Sequence, residues 1–267
     1  MSLLWIVPLL VLLAAGAFVA AVHWGFRAPR HVETQTPDDV AIPRWEEVWI
    51  PTLKGRRLCG WWIPGRRADR VILLMHGWGG NMEKMLPIAL PLHLAGYSLL
   101  LVDARNHGRS DSDGVSSLPL FAADVESAID WLRGREESRE ARIALLGHSL
   151  GGAAVLLAAS ARDDITAVVS VASFAHPEEM TRRYVKRVPL PHLLEGAVLR
   201  YAEWAIGDQF DRIAPLTVVC RVRCPVLLVH GERDATVPVE DAYRIRDACP
   251  DHPPQLLIIP GAGHNAT

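Results

Sequence analysis

An α/β fold, built on a mostly parallel sheet with helices on both faces, is the fold class that this sequence predicts. From Glu46 onward, short apolar runs alternate with segments of helical character. Parallel strands buried on both faces appear in a sequence as continuous hydrophobic runs, and helices between them supply the crossovers. The length of 267 residues suits one large domain, or one domain with an appendage. Because the formal net charge is only −2, nothing in the composition suggests nucleic acid as the main partner, and none is predicted.

The order of elements follows from the positions of the apolar runs and the turn residues. Residues 47–51 and 58–63 are predicted to form a hairpin around the turn Lys54–Arg56, which makes the sheet mixed. Pro87 and Pro91 are expected to break or kink the first helix. Further strands are predicted at 71–75, 98–103, 143–146, 165–173, 225–230 and 255–259, and helices at 81–95, 120–134, 153–161 and 240–249.

The most informative motif is the G-x-S-x-G sequence at Gly147–Gly151, which lies between an apolar strand and a helix rich in alanine and leucine. A serine on a tight strand-to-helix turn has a strained backbone, and its neighbours two positions away must lack side chains. The turn exposes the hydroxyl beside a helix N-terminus, where backbone N–H groups favour developing negative charge. Ser149 is therefore predicted to be a nucleophile. The alternative is an ordinary glycine-rich turn.

A candidate acid and a candidate base each follow their own predicted strand. Active sites of open α/β sheets lie beyond the carboxyl ends of the strands, where Asp234 and His264 are expected. The chain order Ser149, Asp234, His264 is the one expected after a G-x-S-x-G turn. We expect His264 to act as the base, while Asp234 orients its imidazole and stabilises the cation. Glu232 is the rival carboxylate.

A glycine-rich loop, His76–Asn81, follows the predicted strand 71–75. Its glycines allow the loop to bend so that a backbone N–H faces the nucleophile. The predicted oxyanion hole consists of the N–H groups of Trp78 and Leu150. The alternative is a plain tight turn before a helix.

Further polar residues near this edge are candidates for substrate binding or for structural roles. His76, Gly77 and His148 are the predicted substrate-binding residues. In the structural alternative, His148 points away from the nucleophile and packs, and His76 and His107 support loops. Asp111–Gly114 faintly resembles a calcium loop but lacks the later ligands, so no metal site is predicted.

The segment between Phe174 and Arg223 is too long for a simple crossover, and a lid insertion is predicted at about 174–215. Its basic stretch, Thr181–Arg187, is a candidate for contact with anionic lipid headgroups. Alternatively, the lid helix packs its apolar side and leaves its charges solvated. The apolar side chains predicted to form an acyl-binding wall are Leu193, Leu194, Ala197, Val198, Tyr201 and Trp204.

The N-terminal run Leu3–Val22 contains no charged residue. As a helix it would be about 30 Å long, which matches the hydrocarbon core of a bilayer. Residues 1–26 are therefore predicted to form a single-pass membrane anchor, and the polar, proline-containing residues 27–45 a linker. Residues 46–267 form the predicted catalytic domain.

Charge around this run predicts an orientation. Arg27, Arg30 and Arg44 follow the run and no lysine or arginine precedes it, so the catalytic domain is expected on the cytoplasmic side. The alternative is a secreted protein with a cleaved signal peptide and a mature N-terminus near His23. A signal peptide normally begins with a positive region, which this sequence lacks.

The four cysteines are too few and too scattered for a disulfide framework, and thiols packed in or near strands are expected. They are Cys59, Cys220, Cys224 and Cys249.

Taken together, these motifs resemble those of the α/β-hydrolase superfamily, in its branch of serine esterases, lipases and related peptidases. The resemblance runs from about Glu46 to the end, and an anchor before such a domain resembles small membrane-tethered members. It implies an eight-stranded mixed sheet, no cofactor, and hydrolysis through an acyl-enzyme. Members usually continue past the histidine with a helix that packs on the sheet, and this helix is missing here. The residues that carry the resemblance are His76–Asn81, Asp103–Ser110, the Ser149 turn, the Asp234 turn and Gly263–His264.

The predicted activity is hydrolysis of small-molecule or lipid acyl esters by a serine carboxylesterase or lipase. Dehalogenases and epoxide hydrolases of the superfamily carry an aspartate where this chain has Ser149, which argues against their chemistry. Cleavage of thioesters or peptides needs the same three residues and stays open. A non-catalytic binding module with the same fold is the alternative from another class.

Overall fold

The computed structural model describes residues 3–25, 27–186 and 192–265, which are arranged around one eight-stranded sheet. The strands are β1 (Glu46–Thr52), β2 (Arg56–Ile63), β3 (Arg67–Met75), β4 (Tyr97–Val102), β5 (Arg142–His148), β6 (Ile165–Val171), β7 (Val226–Gly231) and β8 (Gln255–Ile259). Their order in the sheet is β1-β2-β4-β3-β5-β6-β7-β8. β2 is antiparallel to both of its neighbours, and the remaining pairs are parallel. The predicted mixed, mostly parallel sheet is confirmed.

Helices cover both faces of this sheet. The α-helices of the described residues are α1 (Leu3–Gly25), α2 (Leu86–Leu94), α3 (Leu118–Gly134), α4 (Leu150–Ala159), α5 (Pro177–Val185), α6 (His192–Ile206), α7 (Phe210–Ile213), α8 (Pro215–Val218) and α9 (Glu240–Asp247). Successive side chains of a strand point to opposite faces. Leu73 and Met75 accordingly belong to the core that contains α3 and α4, whereas Ile72 and Leu74 belong to the core that contains α2. Two hydrophobic cores therefore hold the sheet rigid beneath its carboxyl edge.

The predicted helix at 81–95 is divided in two. A 3₁₀ turn covers Met82–Met85, and α2 follows it. Pro87 lies in the first turn of α2, where a missing N–H costs little. Pro91 lies inside the helix and removes the donor that would bond the carbonyl of Pro87.

The predicted lid insertion forms α5 to α8, between β6 and β7. Two of its basic side chains are paired within the protein. Arg182 lies 2.7 Å from Glu178, and Arg183 lies 3.0 Å from Asp241. These ion pairs reduce the positive charge available to lipid headgroups, whereas Lys186 is exposed and Arg187 lies outside the described residues.

The predicted membrane span coincides with α1, in which Leu12 is 70% and Trp24 is 72% exposed. Across the described residues, no helix combines the length and the hydropathy that crossing a membrane requires. The predicted anchor therefore gains no support from the structure.

The predicted linker, residues 27–45, lies against the domain that contains the sheet. Ile42 is fully buried in the core that contains α2, and Pro37 is also buried. Trp45 packs edge-on against Trp61, with ring centroids 5.7 Å apart. These apolar residues tie the segment to the domain, although its polar composition suggested a solvated connection.

Cys220 and Cys249 form a disulfide, which differs from the expectation of four thiols. Cys220 lies in a 3₁₀ turn before β7 and Cys249 lies just after α9. Their separation of 29 residues along the chain gave no sign that the fold brings these two ends together. Cys59 and Cys224 are free thiols.

Candidate active site

Ser149 occupies the turn between β5 and α4. Its backbone has φ 56° and ψ −118°, a conformation that is rare for residues other than glycine. The Ser149 N–H donates to the carbonyl of Val171 at 2.8 Å, which fastens the turn to the end of β6. The turn thus holds a half-buried serine side chain at the carboxyl edge of the sheet.

The glycines at either end of the motif are required by close backbone contacts. A Cβ at Gly147 would lie 2.1 Å from the carbonyl oxygen of Gly151. A Cβ at Gly151 would lie 2.4 Å from the carbonyl oxygens of both Met75 and His76. The G-x-S-x-G pattern therefore reflects the packing of the start of α4 against β5 and the end of β3.

His264 lies between Ser149 and Asp234. Its Nε2 is 3.1 Å from Ser149 Oγ, and its Nδ1 is 2.7 Å from Asp234 Oδ2. A carboxylate accepts hydrogen bonds, so Nδ1 carries the proton and Nε2 is free to accept from the serine hydroxyl. The structure thus brings the three predicted residues into hydrogen-bonding contact, in an arrangement suited to proton transfer from serine.

The carboxylate of Asp234 is held in place by its own turn. Its Oδ1 accepts from the backbone N–H groups of Thr236 and Val237, both at 2.8 Å, and its side chain is fully buried. The rival carboxylate, Glu232, is exposed and accepts from the N–H of Gly261 at 2.8 Å. Glu232 therefore supports the loop before His264, and Asp234 contacts the imidazole.

The two N–H groups of the predicted oxyanion hole belong to Leu150, which directly follows the serine, and to Trp78, in the loop after β3. Leu150 is the first residue of α4, so its N–H has no partner within the helix. Trp78 N–H donates no backbone hydrogen bond within the described part of the chain. The preceding residue, Gly77, is so close that a Cβ there would lie 3.0 Å from Ser149 Cβ. The oxyanion role of these groups stays a prediction.

Two buried histidines support the loops around the serine. His76 accepts from the N–H of Ala104 at 3.1 Å, and His107 accepts from the N–H of Gly79 at 3.0 Å. Burial lowers the pKa of His76 to about 4 and that of His107 to about 3, so both are neutral acceptors at neutral pH. His76 has no exposed surface, which favours a supporting role over the predicted substrate contact.

His148 lies against the candidate base. Its ring centroid is 4.9 Å from that of His264, and its Nε2 is 2.8 Å from the His264 carbonyl oxygen. Burial lowers the pKa of His148, so the neutral ring donates this hydrogen bond through Nε2–H. His148 therefore secures the loop that carries His264, and its predicted contact with substrate stays a prediction.

A buried polar network fixes the loop after β4. Asp103 accepts from the N–H groups of Met82 and Arg109, at 2.7 and 3.0 Å. The guanidinium of Arg105 is 2.6 Å from Asp124, in the interior of α3. Burial raises the pKa of Asp124 to about 6, against the opposing effect of Arg105.

The predicted acyl-binding wall is only partly assembled. Val198 is buried beside Leu199, whereas Ala197 is exposed and Trp204 is 76% exposed. The side chain of Leu193 lies outside the described part. The helix α6 therefore buries one apolar face and presents Trp204 to solvent.

Within the described part of the chain, one group of side chains has the spacing of metal ligands. The ligand atoms of His176, Glu178 and Asp211 lie within 4.8 Å of one another. Glu178 is already paired with Arg182, and Asp211 is largely exposed. His176 and Glu178 lie at the start of α5, and Asp211 lies in α7.

The chain is similar in sequence to a known protein family and to several proteins. The family described as serine aminopeptidase, S33, matches residues 66–205. Protein Rv2307c of Mycobacterium tuberculosis is 30% identical over 226 residues, covering 84% of this chain and 74% of its own. YfhR of Escherichia coli (strain K12) is 27% identical over 226 residues, covering 82% and 73%.

Solved structures of esterases share the fold. The Pyrococcus furiosus esterase Pf2001 superposes with a TM-score of 0.72 at 25% identity, covering 90% of this chain and 89% of the esterase. Est1E from Butyrivibrio proteoclasticus, with ferulic acid bound, superposes with a TM-score of 0.66 at 22% identity, covering 82% and 91%. At that identity, the second likeness shows the fold alone.

Proposed function

We propose that this chain, which belongs to the serine aminopeptidase S33 family of α/β-hydrolases, is a serine carboxylesterase acting on small-molecule or lipid acyl esters. The observation that carries the proposal is the hydrogen-bonded series from Ser149 through His264 to Asp234, at 3.1 and 2.7 Å. The similarity to the Pyrococcus furiosus esterase supports an ester substrate.

In the proposed reaction, Ser149 Oγ attacks the acyl carbonyl carbon while His264 Nε2 takes the hydroxyl proton. Asp234 accepts from Nδ1–H and stabilises the imidazolium. The N–H groups of Trp78 and Leu150 donate to the oxygen that becomes negative in the tetrahedral intermediate. His264 then returns the proton to the leaving alkoxide as the bond to carbon breaks.

The second half of the reaction uses the same groups. His264 removes a proton from water, and the resulting nucleophile attacks the carbonyl carbon of the acyl-enzyme. Collapse of the second tetrahedral intermediate breaks the bond to Ser149 Oγ, which recovers its proton from the imidazolium. The carboxylic acid leaves, and the starting hydrogen bonds are restored.

The test is hydrolysis of p-nitrophenyl esters from acetate to palmitate. Ser149→Ala is expected to reduce kcat by about 10⁶, as loss of the nucleophile does in other serine hydrolases. Ser160→Ala is the matched control, since Ser160 caps the opposite end of α4 and bonds only the carbonyl of Leu157. Wild-type rates in Ser149→Ala would contradict the assignment.

The family description favours a second candidate, cleavage of peptides at their N-terminus. Aminoacyl p-nitroanilides distinguish the two activities, because they offer a free amino group and an amide in place of an ester. A kcat/KM higher for anilides than for any ester would identify a peptidase. If the wild type hydrolysed neither esters nor anilides, a non-catalytic binding module would be the better interpretation.

We also propose, from the sequence, that the N-terminal segment associates with membranes and that the catalytic domain is cytoplasmic. The run Leu3–Val22 has no charged residue, and Leu12 and Trp24 are exposed on α1. Sedimentation of the full chain with membranes tests the association. Protease digestion of sealed vesicles of known orientation tests the side. Recovery of the chain in the soluble fraction would contradict the first statement.

A further inference from the structure

Residues 29–34, which we call the strap, lie across the loops that surround Ser149. Pro29 covers Gly79: a Cβ at Gly79 would lie 2.9 Å from Pro29 Cγ. Gly79 has φ 67°, a conformation that disfavours other residues, and it directly follows Trp78. The strap therefore touches the backbone next to a predicted oxyanion donor.

Hydrogen bonds join the strap to the loop 76–83. The Thr34 N–H donates to Glu83 Oε2 at 2.7 Å, and the Asn81 side-chain amide donates to the carbonyl of His31 at 3.2 Å. Both contacts lie within five residues of Trp78. The same loop is also held by His107, which accepts from the Gly79 N–H.

The strap is also bonded to the loop after β4. The guanidinium of Arg30 donates to the carbonyl of Ser110 at 2.9 Å, to Ser112 Oγ at 3.1 Å and to the carbonyl of Asn106 at 3.3 Å. The loop after β4 carries His107, which accepts from the Gly79 N–H. By holding the loop after β4, Arg30 therefore also supports the loop 76–83 indirectly.

Glu33 anchors the centre of the strap. Its side chain is 5% exposed, beside the carboxyl of Asp103 and 3.4 Å from the guanidinium of Arg109. Gly108 leaves the space for it, since a Cβ there would lie 2.5 Å from Glu33 Oε1. A carboxyl buried this deeply at a fixed place is not expected of a flexible linker.

We propose that the strap positions the loop 76–83 so that the N–H of Trp78 faces the reacting carbonyl. This inference rests on the proposed hydrolase function. Oxyanion stabilisation depends on donors that are fixed before the reaction begins. A loop with three glycines, at positions 77, 79 and 80, has much conformational freedom to lose, and contacts from outside the sheet restrict it. The strap residues are positioning residues, since they act through the loop.

The test compares Arg30→Gln and Glu83→Ala, which removes the acceptor of the Thr34 N–H, with the wild type in the full chain. Arg70→Gln is the matched control, because Arg70 is an arginine of β3 whose ion pair, to its neighbour Asp69, lies apart from the loops. We expect kcat for the best ester to fall roughly tenfold in both strap variants, less than the 10²–10³ loss on removing a donor outright. KM is expected to change by less than about twofold, because ground-state binding is not involved.

Two further readouts separate positioning from general damage. The inhibition constant of an alkyl trifluoromethyl ketone, whose adduct with Ser149 places an oxyanion in the hole, is expected to rise by the same factor as kcat falls. Amide hydrogen exchange in the peptide 76–83 is expected to accelerate in the strap variants and not in Arg70→Gln.

Unchanged kcat and inhibition constant in both strap variants would overturn the proposal. A raised KM with unchanged kcat would also overturn it, because the strap would then only line the substrate entrance. If Arg30→Gln lost its circular dichroism spectrum, Glu83→Ala, which removes one half-buried acceptor, would decide the matter. A wild-type chain without hydrolase activity would instead overturn the proposed function, and hydrogen exchange would still report whether the strap orders the loop.

Discussion

Two backbone amides and the imidazoles of His264 and His230 surround the carboxylate of Asp234. Changing this carboxylate is expected to have a larger effect than changing Glu232. Asp234→Asn retains the shape, but its amide can donate to Nδ1, which favours the wrong tautomer of His264. By analogy with other serine hydrolases, we expect kcat to fall by about 10⁴. The measurement is kcat for the best p-nitrophenyl ester.

Glu232→Gln is the control for this variant. Glu232 is exposed and bonds only a loop N–H, so its loss of charge is expected to have a small effect on kcat. A larger loss in Glu232→Gln than in Asp234→Asn would show that the acid had been assigned to the wrong residue.

One glycine of α3 and one of α4 allow a matched test of whether the G-x-S-x-G turn requires glycine for steric reasons. A methyl group at Gly151 would overlap the carbonyl oxygens of Met75 and His76, so Gly151→Ala is expected to lower the free energy of unfolding by about 1–3 kcal/mol. Gly134, at the end of α3, has no atom within 4 Å of its added Cβ. There the same substitution is expected to raise the free energy of unfolding by about 0.5–1 kcal/mol.

Denaturant unfolding of both glycine variants measures these changes. A neutral Gly151→Ala would mean that α4 can shift away from the end of β3, and that the motif is not sterically required.

Residues differed in how far the sequence could place them. Ser149, Asp234 and His264 each follow an apolar strand, and the edge where such strands end is a property of the fold class. Glu33 had no such signal, because it contacts Asp103 from 70 positions away in a segment of polar composition. Its partner could only be known once the loop after β4 had been placed.

At the scale of elements, the strap gives the protein a pH dependence of stability. Burial, together with the Asp103 carboxyl, raises the pKa of Glu33 from 4.5 to about 8. A carboxyl whose pKa is higher in the folded chain contributes its full stabilisation below pH 4.5, and this contribution is lost as the pH rises to about 8. Glu33→Gln, which keeps the neutral shape, is expected to flatten this decline.

Urea unfolding of wild type and Glu33→Gln across this pH range measures the difference. The lowered pKa values of His76 and His107 act in the opposite direction, but they are common to both proteins and cancel in the comparison. Glu136→Gln, at an exposed carboxylate, is the control and is expected to keep the wild-type slope. Parallel curves for Glu33→Gln and wild type would contradict the prediction.

Elements with one clear signal were predicted closely, and those with competing signals were not. The strand β8 has its predicted bounds, since a short apolar run lies between turn residues. The segment 81–95 carries helix-forming residues and two prolines, and the structure resolves that conflict as a 3₁₀ turn followed by α2. For the lid, the segment's position was predicted, but the pairing of its arginines depended on Asp241, which lies in α9.

Across the whole molecule, the disulfide joins the stretch before β7 to the end of α9. Replacing both Cys220 and Cys249 by serine removes a link across 29 residues. Chain entropy for a loop of that length predicts a loss of about 3–4 kcal/mol in the free energy of unfolding. Denaturant unfolding measures it, and Cys224→Ser, at a free thiol, is the control. Equal stability of the double variant and the wild type would contradict the prediction.

The fold could be predicted because strands and helices alternate regularly along the sequence. Contacts between segments that lie far apart in the sequence could not be predicted. The order of β3, β5, β7 and β8 brings Trp78, Ser149, Asp234 and His264 to one edge. The position of residues 27–45 depends instead on individual contacts such as the burial of Ile42.

The strap also has a consequence for how the chain is made. Residues 29–34 leave the ribosome before either of the loops that they bind, so Arg30 has no complete set of acceptors until Ser112 has emerged. The β3–β5 pairing, which frames the serine turn, requires residues up to Gly147. During synthesis the strap would therefore lack its folded partners while more than a hundred later residues are added. A tag fused at the N-terminus would therefore be expected to interfere first with the strap, before the strap has bound its loops.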